Sequence, residues 1–339
     1  MNSPILSICI PTYNRCQEVV KRIRELSSQF TDRVEIIISI NGGDYAALED
    51  AVAKLIPPFV RVVISVNRNN IGGAANCLRC IEKAEGAWVW LLGDDDPIAP
   101  DAIVRIVACE REEPSICAAF FAWRKYGMIR DKSTISTLQE LAGTGLSLGD
   151  FMFTSCMICR RETIVGCLRE LYTRLSTQIC VFPAVLKSLE RKEGRLIIFN
   201  LSIVANNQPQ PSEQYSSIPI ALGLPMVLDY FWLSDSRRAI QQLLARTVAE
   251  WLTPERLAIA AASLYPSVSD WRGCREIMRN LRDGILTRSG SISARLRGSV
   301  LLAFMYCGPR LFQGAIGFAE RIRGTAFGFR LASQNMDRV

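Results

Sequence analysis

The sequence predicts an α/β fold, a mostly parallel sheet with helices on both faces, followed by an α-helical extension. Three observations carry this. Over the first hundred residues four apolar runs of strand length alternate with segments of helical apolar spacing, the β-α-β-α-β-α-β order of a doubly wound sheet. Each run is followed by a turn rich in Asn, Gly or Asp, which places the polar loops on one rim. From Leu224 onward the periodicity is helical to the end.

Ile5-Leu6-Ser7-Ile8-Cys9-Ile10 reads as the first buried strand, stopped by Pro11, which lacks a backbone donor. Thr12-Tyr13-Asn14-Arg15 makes a polar turn, and Val19, Ile23, Leu26 and Phe30 recur at helical spacing. Val34 to Ile40 is the second strand, closed by Asn41-Gly42-Gly43-Asp44, where glycines let backbone approach a ligand. Tyr45, Leu48, Val52 and Leu55 share one face of a helix that Pro57-Pro58 ends. Val60 to Val66 is the third strand and Asn67 to Gly73 its polar loop; a helix from Asn76 to Ala84 and a fourth strand from Ala87 to Leu92 follow.

Beyond Asp101 a helix runs to about Glu112, with Ile103, Ile106 and Val107 on one face. Ser115 to Trp123 reads as a strand, residues 126–150 as a less regular loop over the crevice, and Phe151 to Cys159 as a strand. Arg161-Glu162 opens a helix, Val181 to Leu189 is helical, and Leu196 to Val204 is a further strand. The expected organisation is therefore 1–112 and 113–205 as the two halves of one domain, 206–223 as a linker, and 224–339 as a helical region broken at Pro254, Pro266, Gly290 and Pro309.

Histidine is absent from all 339 residues. This removes Ser-His and Cys-His nucleophilic systems and imidazole bases, leaves acid/base work to carboxylates, and points any metal toward a hard ion held by oxygen. Twelve cysteines follow an opening, Met1-Asn2-Ser3-Pro4, with no basic leader, so they are expected as reduced thiols in the cytoplasm. Cys77/Cys80 and Cys156/Cys159 have Cys-x-x-Cys spacing, but the first pair falls inside a helical pattern, which favours small buried hydrophobes over zinc ligands. The net charge of +7 is confined to the tail: from residue 225 there are sixteen arginines, no lysine and nine acids.

The stretch Trp88-Val89-Trp90-Leu91-Leu92-Gly93-Asp94-Asp95-Asp96-Pro97-Ile98-Ala99-Pro100 ends a strand in three consecutive carboxylates. A solvated turn, with Asp101 capping the next helix, is one reading of such a cluster. The other is a divalent cation shared with a diphosphate, which removes the repulsion among the acids. Open α/β sheets bind ligands beyond the carboxyl ends of their strands, and the lack of histidine agrees with oxygen ligands, so the second reading gains.

Four features in order resemble the family 2 inverting glycosyltransferases with the GT-A fold: Ile10-Pro11-Thr12-Tyr13-Asn14-Arg15, Ile38-Ser39-Ile40-Asn41-Gly42, the stretch from Asn69 through Gly72-Gly73 to Asn76, and Leu92-Gly93-Asp94-Asp95-Asp96 with Pro100. The resemblance covers about the first hundred residues well and extends more weakly to about residue 205. It implies a nucleoside diphosphate sugar donor held by Pro11, Thr12, Tyr13, Arg15, Asn41, Asn69, Gly72, Asn76 and Asp94, with Tyr13 stacked on the base and Asn41 at the base edge. It also implies Mn²⁺ or Mg²⁺ on Asp95 and Asp96; the D-x-D reads as Asp94 and Asp96 or as the pair Asp94-Asp95, and the match of Pro100 favours Asp95.

Two departures accompany the resemblance. Many relatives carry Asp at position 40 or 41, where this chain has Ile40-Asn41; Asp44 is either a replacement or a simple turn acid, and the choice of nucleotide stays open. Ser176-Thr177-Gln178-Ile179-Cys180-Val181-Phe182-Pro183 holds no carboxylate where relatives carry the catalytic base; Asp150 and Glu162 are the substitutes, with Asp96 or loss of activity as alternatives. The implied activity is inverting transfer of a sugar to a saccharide acceptor, plausibly lipid-linked, in surface polysaccharide or glycoconjugate synthesis. The alternative is a non-catalytic nucleotide-sugar-binding or scaffold protein of the same fold. A dinucleotide enzyme requires Gly-x-Gly-x-x-Gly after the first strand, where Pro11-Thr12-Tyr13-Asn14 stands.

In the tail, Trp271, Cys274, Ile277, Met278, Leu281 and Ile285 form an apolar stripe, with Arg272, Arg275, Arg279 and Arg282 largely elsewhere on the helix. Ser299 to Met305 and Leu311 to Phe318 are too short to span a bilayer. Two readings stand: a helix on an anionic membrane surface, making the protein peripheral on the inner face of the plasma membrane, or a helical subdomain with a solvated basic face. No nucleic-acid-binding motif accompanies the charge.

Overall fold

The computed structural model describes residues 3–43, 45–112, 115–122, 131–177, 179–205, 217–231, 233–263, 271–307, 311–312 and 314–315. Asp44, Gln178, residues 126–130 of the expected loop, 206–216 of the expected linker, Pro266, Pro309 and the end of the segment Leu311 to Phe318 lie outside the described residues. The chain divides into two compact units. One comprises Met1–Leu146, Asp150–Leu175 and Ile179–Gln210, the other Ser147–Gly149, Ser176–Gln178 and Pro211–Val339.

The first unit is α/β. Its elements are β1 (Leu6–Thr12), α1 (Cys16–Leu26), β2 (Val34–Ile40), α2 (Ala46–Leu55), β3 (Arg61–Val66), α3 (Gly73–Glu82), β4 (Trp88–Leu91) and α4 (Ala102–Ala108). There follow β5 (Ile116–Phe121), β6 (Lys132–Ile135), α5 (Leu138–Gly143), β7 (Met157–Arg160), α6 (Arg161–Val165), α7 (Leu168–Thr173), α8 (Phe182–Arg191) and β8 (Arg195–Phe199). The eight strands form one sheet in the order β3-β2-β1-β4-β7-β5-β8-β6. β1, β2, β3 and β4 pair in parallel, as do β5 and β8. β7 is antiparallel to both its neighbours and β6 to β8, so the sheet is mixed beyond β4.

Strand alternation explains why helices cover both faces. Leu6, Ile8, Ile10, Ile36, Ile38, Trp88 and Trp90 point to one side and join a single core with Val19, Ile23 and Leu26 of α1, Leu48 and Val52 of α2, and Ile103 and Ile106 of α4. On the other side Ser39 bonds Asn76 of α3, and the buried Cys80 of the same helix donates to the Ile37 carbonyl at 3.2 Å.

The structure corrects four readings of the sequence. Pro11 does not stop β1, which runs to Thr12. The last β1–β4 pair is Cys9 with Leu91, and Leu92 N donates to the Cys9 carbonyl. Pro11 follows on the same side without an N–H, so the β4 ladder ends there while the β2 ladder continues through Thr12 and Ile40. The stretch Phe151 to Cys156 is two single helical turns, and only Met157–Arg160 is strand. Phe151 is apolar because it stacks on Phe182 with ring centroids 3.8 Å apart and tilts against Phe120 at 4.8 Å. The region after residue 130 is ordered as β6 and α5. The final strand ends at Phe199, and Val204 instead bridges to Ile98.

The second unit is helical: α9 (Ser217–Gly223), a 3-10 run Leu224–Tyr230, α10 (Ser234–Glu250), α11 (Pro254–Ser263), α12 (Trp271–Leu281) continuing through a π-type stretch Arg282–Leu286, and α13 (Ile292–Cys307). Pro254 opens α11, where its missing donor is not needed. Cys274, Met278, Leu281 and Ile285 are buried, as the apolar stripe predicts. Gly298 lets α13 come close to α12's continuation, since a Cβ there would lie 2.4 Å from Leu286 Cδ1.

Candidate functional site

β2 and β3 lie on one side of β1 and β4 on the other. The chain therefore changes direction across the sheet at β1/β4, the kind of switch point beyond whose carboxyl strand ends open α/β sheets bind ligands. The turns after β1 and β4 meet there. Thr12 Oγ1 donates to Asp94 Oδ2 at 2.7 Å, and Arg15 Nη1 donates to Asp94 Oδ1 at 3.0 Å and to Asp95 Oδ2 at 2.5 Å.

The three acids have different environments. Asp94 is buried; burial raises its carboxyl above the ordinary value, opposed by the Thr12 hydroxyl and the Arg15 guanidinium. Asp95 has a side chain 47% exposed. Asp96 is pushed up to about 6, chiefly by burial and further by its two acidic neighbours, while the Ser155 hydroxyl works the other way. Ser155 Oγ donates to Asp96 Oδ2 at 2.5 Å and accepts from Gly93 N at 2.8 Å. The indole of Trp90, at the end of the core strand, donates to the Ser155 carbonyl at 2.8 Å.

A second clamp comes from α1. Val19, Arg22, Ile23 and Leu26 are its buried residues, so an arginine stands in the apolar stripe. Arg22 Nη1 donates to the Asp96 carbonyl at 2.7 Å, and the guanidinium grips Glu25 at 2.5 and 2.9 Å.

The turns after β2 and β3 line the same rim and are knitted together by amides. Asn41 donates to Asn70 Oδ1 at 2.7 Å and accepts from Ile71 N at 2.9 Å. Asn76 Oδ1 accepts from Ser39 Oγ and from Asn67 Nδ2, both at 2.8 Å, and its Nδ2 donates to the Ser39 carbonyl at 2.8 Å. These bonds give Asn41 and Asn76 positioning roles in the loop walls. Gly42 and Gly72 have φ of +90° and +88°, a region that favours glycine. Tyr13, 47% exposed, and Asn69, also exposed, face solvent from the first and third turns, and Pro11 is half-buried.

The two carboxylates that the sequence offers as base separate. Asp150 is fully buried in the turn leading to Ser155 and β7; because β7 runs antiparallel to β4, this turn is on the acidic rim. Glu162 is at the other end of β4, since Arg160 pairs with Trp88 and Arg161 N donates to the Ala87 carbonyl. It lines a cavity of about 250 Å³ with Lys187, Arg191 and Glu193, at the amino ends of β5 and β8. The geometry removes Glu162 from the chemistry at Asp94 to Asp96.

Sequence reasoning missed Arg22 and Ser155. The first was signalled by its place at i+3 from Val19 and i−4 from Leu26. The second had no signal, because its partners are 59 and 62 positions away.

Residues 7–163 match the family model described as Glycosyl transferase family 2. The chain is 28% identical over 126 residues to the abequosyltransferase RfbV of Salmonella typhimurium, a match covering 32% of this chain and 36% of that protein. The matched segment thus spans about a third of that relative. Among solved structures, S. aureus TarS 1-349 in complex with UDP-GlcNAc superposes with a TM-score of 0.60 at 13% identity, over 97% of this chain and 95% of that one. A mannosyltransferase from Pyrobaculum calidifontis, PcManGT, in complex with GDP-Man and Mn²⁺ gives 0.50 at 14% identity, over 89% and 88%. The architecture is the GT-A-like α/β fold with a helical extension.

Proposed function

We propose, from the match of residues 7–163 to the family model of glycosyl transferase family 2, that the chain is an inverting, metal-dependent glycosyltransferase. It moves a sugar from a nucleoside diphosphate sugar to a saccharide acceptor, lipid-linked and on the way to a surface polysaccharide or glycoconjugate. The observation that carries this reading is the division of labour at the β1/β4 rim. Thr12 and Arg15 occupy both oxygens of Asp94, while Asp95 is presented to solvent beside Asp96.

The residues fit a hard divalent cation. Among the described residues no three acidic, thiol or imidazole side chains converge as a ready cage. Asp95, half-exposed, and Asp96 beside it would supply oxygen ligands for part of a coordination shell, the usual pattern when substrate phosphates supply the rest. Mn²⁺ or Mg²⁺ held there supplies Lewis-acid stabilisation of the departing nucleoside diphosphate. Arg15 fixes the carboxylates and adds a positive charge at this rim, Tyr13 offers an exposed ring on which a base can stack, and the Asn41–Asn70 and Asn67–Asn76 bonds hold the neighbouring turns in place. The UDP-GlcNAc and GDP-Man of the two solved neighbours support a nucleotide-sugar donor; the base is left open by Asn41, whose amide is engaged within the protein.

The test is a panel of nucleoside diphosphate sugars with saccharide acceptors, in Mn²⁺, Mg²⁺ or chelator, following nucleoside diphosphate release and the product's anomeric configuration. The expected result is acceptor-dependent release, lost in chelator, with inverted configuration. A retained configuration contradicts the mechanism. Donor binding with no turnover on any acceptor selects the non-catalytic alternative, which the carboxylate-free stretch 176–183 favours.

A further inference from the structure

Among the described residues, the outer face of α13 is apolar and exposed. Ile292, Leu296, Val300 and Phe304 follow one another at four-residue spacing and so share one face of the helix; they are 67%, 58%, 54% and 36% exposed. Cys307 continues the row and is exposed. The opposite face, with Ala294, Gly298, Leu301, Leu302 and Met305, is buried in the helical unit. Singly exposed apolar residues are ordinary, but a row of four along one helix marks an interaction surface.

Charge names the occupant. Residues 284–319 contain four arginines and no Lys, Asp or Glu. Arg295 is exposed at one margin of the apolar row. Tyr306 lies at the same margin; Arg275 sits 5.1 Å from its ring centroid and Arg279 donates to its hydroxyl. A second copy presenting the same acid-free helix would set arginine against arginine, whereas an anionic surface is complementary. Among the described residues no helix is long and apolar enough to cross a membrane, and α13 has 16 residues. Such a helix lies in the headgroup plane, where arginine stems bury while their guanidinium groups stay wet and tyrosine sits at the interface.

We propose that α13 docks on an anionic lipid surface, with Ile292, Leu296, Val300 and Phe304 inserted and Arg295 and the Arg275–Tyr306–Arg279 cluster at the headgroups. This uses no feature of the donor site, and its test needs neither donor nor acceptor, so it stands or falls separately from the proposed activity.

The test is sedimentation of the full chain with phosphatidylcholine vesicles and with vesicles that also contain phosphatidylglycerol, at low and high salt. Binding is expected to the anionic vesicles and to weaken at high salt. The double variant Leu296→Glu/Val300→Glu is expected to bind about tenfold more weakly or worse, at an unchanged unfolding midpoint. Should that variant unfold, Arg295→Gln carries the test with weaker binding expected. Absence of binding by the wild type at low salt overturns the proposal, as does undiminished binding by a folded variant. So does a wild-type dimer that fails to bind vesicles and that the double variant dissociates.

Discussion

Asp95→Ala is expected to lower kcat/KM by about 10²–10³-fold while leaving folding stability within about 0.5 kcal/mol of the wild type. The two halves of this prediction come from the same geometry. Asp95 is half-exposed, and its bond is to Arg15, a partly exposed partner that keeps its second contact, Asp94. Exposed pairs of this kind contribute little to stability. The charge of Asp95 also holds up the carboxyls of Asp94 and Asp96, so its removal relieves repulsion. Asp96, at about 6 in the wild type, is expected to titrate lower in the variant, which carbon NMR of the carboxyl measures directly. Activity assays and urea unfolding of the same preparation separate a functional carboxylate from a structural one; an active variant, or a destabilised inactive one, contradicts the assignment. Asp94→Ala does not make this separation, because Asp94 ties β1's turn to β4's.

Arg22→Met is expected to behave in the opposite way, costing about 2–3 kcal/mol of stability in chemical denaturation. Methionine keeps much of the length and fills the stripe between Val19 and Leu26, so the loss is polar. The Asp96 carbonyl loses its donor and Glu25 loses a bidentate partner. Glu25 is 35% exposed and regains water, which holds the cost below that of a wholly buried broken ion pair. Because Arg22 holds the backbone of the acidic turn, nucleotide binding should weaken as well. A loss under about 0.5 kcal/mol would mean that the buried guanidinium is not what anchors the turn.

The parallel half of the sheet was legible because each of its strands is a continuous apolar run set off by polar turns, and β1 to β4 were found at nearly their observed bounds. In the other half β5 and β8 also stood out as apolar runs, the latter read too long, but β6 was missed and β7 only partly found. β6, Lys132-Ser133-Thr134-Ile135, is a short edge strand with a single buried residue, so its pairing with β8 leaves no hydrophobic pattern to read. Phe151 to Cys156 carries the opposite problem: buried turns and buried strands are equally apolar, and periodicity does not tell them apart. The antiparallel insertion of β7 between β4 and β5 is a tertiary choice with no local signature.

At the site, the acids and the β1 turn were visible as residue types at strand ends. How Asp94, Asp95 and Asp96 divide their roles was not, because it depends on Thr12, Arg15, Arg22 and Ser155 arriving from other elements. Asn41 shows the reverse: a polar residue in a ligand-facing position by sequence, engaged within the loop wall in the fold. Glu162 shows that adjacency to a strand says nothing about which end of it a side chain serves.

The most direct measurement of the central claim is a titration of Mn²⁺ into the wild type, followed by electron paramagnetic resonance, with and without a saturating nucleoside diphosphate. Two protein carboxylates hold the ion only weakly, so nucleotide is predicted to raise Mn²⁺ affinity by about tenfold or more, and Asp95→Ala to abolish the gain. Equal affinity with and without nucleotide, or a gain that survives in Asp95→Ala, would contradict the assignment of the β4 turn as the cation and diphosphate anchor.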